Sequence, residues 1–409
     1  MTKRIGLFGF GVVGQGYYQI AKKQKEKWIP DTIVVKDQKK RRSSDIRFSY
    51  DSQDVFDKNP DYILELISNM EEAYEYASEA LKRGITVISA NKKMLSAHLP
   101  ELINLQKVFG GKLLYEASVA AGIPVITNLE THFEEDNIIS IEGILNGSSN
   151  YILSRIFNNG LSFGEALRLA QQKGFAESDP SFDINGSDVA SKLNILILHA
   201  FGKFVGEKQI ATFGIQNLGE DEIALAKSLG LKIKLIAKAE KDYRGISAYI
   251  IPTLVEESNP FFGVENEYNA VKINSEHLQD QFYQGKGAGS LPTGAAVYGD
   301  LIKARNGFGY NYSKVNFDKP LDEKLLNLGV RVLIKSKSEE IIETNIFSPE
   351  FIKCIDGFYF SVGKIKPKNL SKLNELKEVS LLALPDFLTS SDVLKSLEGI
   401  KKSEELLFK

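Results

Sequence analysis

A chain of 409 residues is two to three times the length of a common domain, which excludes a single small module and leaves enough mass for a buried core. With 43% hydrophobic and 25% charged residues, the composition excludes collagen, coiled coil and wholesale disorder. A net charge of -2, from 51 Lys plus Arg against 53 Asp plus Glu, supplies no field for holding a nucleic-acid polyanion.

The start, Met1-Thr2-Lys3-Arg4 followed by Ile5 to Phe8, resembles a signal peptide only superficially. Glycines interrupt its apolar part and a Lys-rich helix follows, so it reads as a first β-strand. Apolar runs at 5–8, 33–35, 62–67, 85–89 and 113–115 are separated by polar or amphipathic stretches, the rhythm of a parallel sheet with crossover helices. Between 71 and 83, Ala73, Tyr76, Ala77, Ala80 and Leu81 recur at helical spacing, and Gly84 stands where a helix C-terminal cap belongs.

After Pro124 the spacing predicts a strand over 138–145 and helices over 151–157, 163–173 and 187–201. The Gly-rich stretch 285–289 leads into a helix over 293–304 that returns to the first domain. From about residue 311 the tail carries strands at 330–334, 358–362 and 379–384 and a helix near 391–397. The fold class is therefore α/β: a Rossmann-type doubly wound parallel sheet over 1–128, completed by the helix near 293–305. An α+β substrate-binding and dimerisation domain follows over 129–310, then a small α+β domain over 311–409.

The longest strongly apolar stretch, 193–201, falls far short of the roughly 20 residues that cross a bilayer, so no membrane span is expected. One cysteine, Cys354, cannot form an internal disulfide, and such low usage suits a reducing compartment. His98, His132, His199 and His277 are scattered and make no zinc motif.

The first strand ends in Gly9-Phe10-Gly11-Val12-Val13-Gly14 with helix-compatible residues after it, the context that dinucleotide binding requires. Gly9 permits the turn, Gly11 admits a pyrophosphate, Gly14 lets helix and strand pack, and the helix N-terminus offers N–H groups to phosphate. The second strand leads to Asp37, placed to bond an adenosine ribose as in NAD sites. Lys39, Lys40, Arg41 and Arg42 follow at once and suit the 2′-phosphate of NADP; the balance leans slightly to NADP, with both cofactors admitted.

Asn91-Lys92-Lys93 lies at a strand end, the edge where open sheets bind ligands, so Lys92 can face the nicotinamide. The stretch 173–192 is dense in carboxylates and then enters an apolar helix. Asp188 and Lys192 share one helix face, and alone they would be an ordinary exposed ion pair. Val189, Leu193, Ile195, Leu196, Ile197 and Leu198 make that helix apolar nearly all round, which buries Lys192. Burial and a second cation such as Lys92 both push a lysine down from its ordinary value near 10.4, toward proton transfer. Glu177 and Asp183 can grip a substrate ammonium.

Together these residues resemble homoserine dehydrogenase. The matches are the nucleotide fingerprint, Asn91-Lys92-Lys93, Tyr115-Glu116-Ala117-Ser118-Val119, and the stretches 147–151, 174–192 and 285–289. The spacing of Glu177, Asp183, Asp188 and Lys192 is the most specific of them. The resemblance implies NAD(P)H-dependent reduction of L-aspartate 4-semialdehyde to L-homoserine, on the route to threonine, methionine and isoleucine, by a cytoplasmic homodimer. It implies Lys192 as proton donor, Asp188 orienting it and binding substrate, and Lys92 across the site. Glu177 would bind the substrate amino group, with Gly174, Ser148 and Asp183 completing the pocket. Phe10, Val13, Ser68 and Gly289 would line the cofactor site, and carbonyls of Glu116, Val119, Ala121 and Ile123 would hold a structural monovalent cation such as sodium.

Many longer relatives end in a regulatory ACT domain whose first strand runs into a loop rich in Pro, Gly and Val. Here the strand leads into Ser336-Lys337-Ser338-Glu339-Glu340, so threonine binding is in doubt, and a divergent ACT-like domain and an unrelated small domain both fit. Two rival functions share the plan. A related semialdehyde oxidoreductase is one, although a phosphorylating mechanism needs a thiol and Cys354 lies in the tail. A non-catalytic dinucleotide sensor is the other; retention of both Lys92 and Lys192 speaks against it.

Overall fold

The computed structural model describes residues 3–24, 28–38, 46–243, 245–315, 329–342, 347–376 and 378–407. They divide into two compact units. One comprises Met1–Glu135, Asn194–Gly206 and Gly285–Lys319; the other comprises Asp136–Leu193, Glu207–Gln284 and Pro320–Lys409. Among the described residues no helix is long and apolar enough to cross a membrane.

The first unit holds five parallel strands, β1 (Ile5–Phe8), β2 (Thr32–Val34), β3 (Tyr62–Glu65), β4 (Thr86–Ser89) and β5 (Leu113–Leu114). They are ordered β2-β1-β3-β4-β5. Their continuous apolar runs are buried, as a sheet covered on both faces requires. The chain turns to one side of β1 for β2 and to the other for β3, and ligands of open sheets settle at that reversal. The helix expected near 71–83 runs Met70–Lys82; the Asn69 side chain caps it by accepting from Glu72 N, and Gly84 at φ +71° ends it. A helix not anticipated from the sequence runs Lys92–Phe109 despite Pro100, opened by the Asn91 side chain and closed by left-handed Gly110.

Helix Ser290–Arg305 packs against helix Val12–Lys23 in this unit. The two backbones meet at glycines. A Cβ on Gly16 would stand 1.9 Å from Ser290 O, and one on Gly294 would stand 2.4 Å from the Tyr17 amide. No side chain fits there.

In the second unit a mixed sheet runs β11-β10-β6-β8-β9-β15-β12-β14-β13, with β7 beside β9. Its strands are β6 (Ile138–Ile144), β7 (Ala211–Thr212), β8 (Lys232–Asp242), β9 (Gly245–Val255), β10 (Tyr268–Ser275), β11 (Gln281–Lys286), β12 (Val330–Ser336), β13 (Phe347–Ile355), β14 (Phe358–Ile365) and β15 (Val379–Ala383). The expected strands at 138–145, 330–334, 358–362 and 379–384 are all present, and β7 to β11 and β13 are additions. The expected helices appear as Gly147–Asn159, Phe163–Gln172, Ser187–Phe201 and, at the end of the chain, Ser390–Leu407.

The tail reads β12, helix Glu339–Ile342, β13, β14, helix Leu370–Asn374, β15, and its strands lie β15-β12-β14-β13 with antiparallel neighbours. This is the split βαβ, ferredoxin-like arrangement. Its β15 joins β9 in parallel at Ala383 and Thr253. Beneath that junction Val332, Ile334, Val379 and Leu381 share one buried cluster with Ala211, Phe213 and Ile251. At about 1.5–3 kcal/mol for each large apolar side chain removed from water, this cluster binds tail and central sheet as one core.

Candidate active site

In the first unit the fingerprint occupies the turn out of β1. Gly9 has φ +92°, where a side chain is strained and a Cβ would also stand 2.7 Å from Leu66 O. A Cβ on Gly14 would stand 2.5 Å from Gly9 O, whereas one on Gly11 would meet only open space, so the backbone at Gly11 is open to a phosphate. Val12 is 65% exposed at the start of the helix, Val13 is half-buried, and the Phe10 ring packs edge-on against Tyr18 and Phe48. Ser290 Oγ donates to Val12 O at 2.8 Å, which brings the neighbouring Gly289 (φ +118°) to the same turn. Ser68 is exposed on the loop after β3, and Asp37 is exposed beyond β2. Lys39 and Arg41 lie outside the described residues.

The Lys92 end of this unit is organised by a residue the sequence reading missed. Glu65, wholly buried at the end of β3, accepts from Ser89 Oγ at 2.5 Å and from the Ile67 amide at 3.0 Å. Ser89 Oγ in turn accepts from the Asn91 amide at 3.0 Å, and Asn91 Nδ2 donates to Ile67 O and Asn69 O. One carboxyl thus ties the loop bearing Ser68 to the turn from which Lys92 starts its helix. The missed signal was an acidic residue closing an otherwise apolar strand, Tyr62 to Glu65.

Burial pushes the Glu65 carboxyl up to about 7, against the bonds from Ser89 and Ile67 that favour its charged form. The folded state therefore holds this proton more tightly than the unfolded chain does. The resulting stability is whole below pH 4.5 and is lost as pH rises toward 7. Relative to Glu65→Gln, the wild type is expected to lose about 3 kcal/mol across that interval. Melting temperatures of both proteins between pH 4.5 and 8 test this, and parallel curves would refute it.

The turn Glu116–Ile123 is buried except at Gly122, and Ala121 adopts φ +47° within it. The Glu116 carboxylate faces the next helix, accepting from Ile126 N at 2.9 Å and Thr127 N at 2.7 Å. Of the peptide carbonyls expected to hold a cation, Glu116 O accepts from the Val119 amide at 3.5 Å and Ile123 O from the Val125 amide at 2.8 Å.

In the second unit the centre is the end of β6. Lys192, only 7% exposed, donates from Nζ to Leu145 O at 2.7 Å and to Asp188 Oδ2 at 2.8 Å. The exposed ion pair weighed from sequence is thus a buried one. Asn146 Nδ2 donates to Asp188 Oδ2 and to Asp183 Oδ1, both at 2.8 Å, while its Oδ1 caps the helix Gly147–Asn159. Ser148 Oγ donates to Phe175 O and so fastens the loop after Gly174, whose φ of +74° ends the preceding helix. Glu177 is exposed on that loop, where Gln171 Nε2 holds its carbonyl at 3.1 Å. The structure therefore links Lys192, Asp188 and Asp183 through Asn146, a residue the sequence reading passed over although it immediately precedes the 147–151 stretch.

Comparison with known proteins agrees with this geometry. Residues 124–302 match the homoserine dehydrogenase family and residues 9–116 match the homoserine dehydrogenase NAD binding domain. Homoserine dehydrogenase of Bacillus subtilis is 31% identical over 432 aligned positions, covering 98% of this chain and 96% of the relative. The crystal structure of a homoserine dehydrogenase from Thiobacillus denitrificans superposes with a TM-score of 0.80 at 26% identity, over 94% of this chain and 99% of that one. A hyperthermophilic archaeal homoserine dehydrogenase in complex with NADPH gives 0.64 at 25% identity, over 76% and 99%. With a dinucleotide-binding turn in one unit and a buried lysine–carboxylate node in the other, the chain belongs to the homoserine dehydrogenase family of oxidoreductases.

Proposed function

We propose that this chain reduces L-aspartate 4-semialdehyde to L-homoserine, with Lys192 giving the proton to the oxygen that becomes the hydroxyl. The observation that carries the assignment is the Lys192 ammonium, buried and aimed by Leu145 O and Asp188. A bound nicotinamide dinucleotide supplies the hydride. Asp188 holds the ammonium in line, and Asn146 holds Asp188. Positioned in a low-dielectric site, such a cation stabilises oxyanion charge as it develops.

Asp183, Glu177, Gly174 and Ser148 form the pocket for the amino-acid end of the substrate, the carboxylates facing its ammonium. Lys92 stands at the nicotinamide side. Gly9 to Gly14, Asp37, Ser68 and Gly289 hold the dinucleotide, with Lys39 and Arg41 turning the preference to NADP. The Glu116, Val119, Ala121 and Ile123 carbonyls hold sodium or a similar ion, which braces the turn. The working protein is a cytoplasmic homodimer without nucleic-acid or membrane partners, a reading supported by the near-neutral charge and single cysteine. Residues 311–409 form a divergent ACT-like module that shares its core with the central sheet, a reading supported by the ferredoxin-like strand order.

Oxidation of NADPH and of NADH at 340 nm, with L-aspartate 4-semialdehyde as the sole acceptor, tests activity and preference together. Turnover that needs the semialdehyde is expected. Lys39→Ala and Arg41→Ala should raise KM for NADPH about tenfold, one charge-assisted contact each, with little change for NADH. Equal losses with both cofactors would return the preference to Asp37 and NAD.

A further inference from the structure

Within the second unit the tail reaches the segment that carries Asp183. Asn374, the last residue of helix Leu370–Asn374, accepts at Oδ1 from the Gly214 amide at 3.0 Å and from Gln216 Nε2 at 2.7 Å. Its Nδ2 donates to Asn185 O at 3.4 Å. Two residues before Gly214, Thr212 N donates to Ser371 Oγ at 3.3 Å. The strip 211–217 is pressed between this helix and the turn 181–187: Ile215 N donates to Ile184 O at 2.8 Å. A Cβ on Gly214 would stand 2.2 Å from that same carbonyl, so only glycine permits the approach. On the far side Asn185 Oδ1 accepts from Ser187 N at 2.9 Å, at the head of the helix that presents Asp188 and Lys192.

We infer that Asn374 is a positioning residue for the substrate pocket, through which the tail sets the placement of the turn bearing Asp183 and of the helix start bearing Asp188. The inference rests on the assignment of 174–192 as the substrate segment. Asn374 touches no reacting atom; it fixes Gly214 and Gln216 with one oxygen and Asn185 with its nitrogen, so the turn is held at Ile184 and Asn185, just after Asp183. The placement of helix Leu370–Asn374 therefore reaches the pocket through the hydrogen bonds of the Asn374 side chain and not through a flexible linker.

The test compares steady-state kinetics of the full chain and five variants in the homoserine-oxidising direction. Asn374→Ala is expected to raise KM for L-homoserine about tenfold, with KM for the dinucleotide and kcat changed much less. Asn374→Asp keeps the acceptor for Gly214 and Gln216 and should recover most of the loss; Asn374→Ser carries the alanine expectation if alanine does not yield folded protein. Asn217→Ala is the control. Asn217 Nδ2 donates to Leu376 O at 2.9 Å and Val379 O at 2.8 Å, so its loss loosens the tail without touching the turn. It should leave KM for L-homoserine in place. An unchanged KM in the alanine or serine variant, or an equal rise in Asn217→Ala, would overturn the inference. Asp183→Ala separates it from the underlying assignment: a raised KM there upholds the substrate segment whatever Asn374 does, and an unchanged one removes both.

Discussion

Lys192→Ala lowers kcat about 10³-fold, in the middle of the range that general-acid groups contribute, while dinucleotide affinity stays within about twofold. The asymmetry follows from where the side chain sits. It donates to Leu145 O, just past β6, and to Asp188 on its own helix, whereas the fingerprint turn is built from Gly9, Gly14 and Ser290. Lys192→Arg sharpens the result. Arginine keeps the charge but holds its protons above pH 12, so it can stabilise an oxyanion and cannot give a proton up. A kcat in the arginine variant close to that of alanine identifies proton transfer as the lost function. Recovery in the arginine variant would instead assign Lys192 a purely electrostatic part, and an unchanged kcat in alanine would remove it from the reaction.

Gly14→Val raises KM for the dinucleotide by about 10- to 100-fold, from about 1–3 kcal/mol of overpacking placed on the cofactor turn. The first carbon of any side chain there would stand 2.5 Å from Gly9 O, so the turn has to open to admit it. Gly11→Ala is the informative partner, because its Cβ meets only open space in the protein and collides solely with what binds there. Dinucleotide titration followed by fluorescence, with melting curves alongside, separates the two. Valine at position 14 should cost both affinity and stability, and alanine at 11 affinity alone. A Gly11→Ala protein with full affinity would place the phosphates elsewhere.

The nucleotide half of the fold was legible because its signals are local. Apolar runs of four or five residues, Gly84 and the fingerprint each announce themselves within a few positions. The buried state of Lys192 was legible too, since Val189, Leu193, Ile195 and Leu196 surround it on one helix. Strands β8 and β9 were not recovered, although Lys232, Lys234 and Lys238 alternate with apolar residues along β8, because frequent lysines suggest solvent and Lys234 is fully buried instead. Asn146, Glu65 and Asn374 escaped for a different reason. Each acts by bonding to backbone or side chains tens to hundreds of residues away, and no spacing within the chain records such a meeting.

The glycine contact between helices Val12–Lys23 and Ser290–Arg305 has a bearing on biosynthesis. The helix that follows the fingerprint cannot acquire the neighbour its Gly16 is shaped for until the ribosome has passed Gly294. At about 5–20 residues per second that interval is on the order of 15–60 s. Throughout it the Gly16 face of that helix stays uncovered, and the fingerprint turn lacks the bond that Ser290 Oγ gives to Val12 O, so the nucleotide-binding turn is completed late in synthesis.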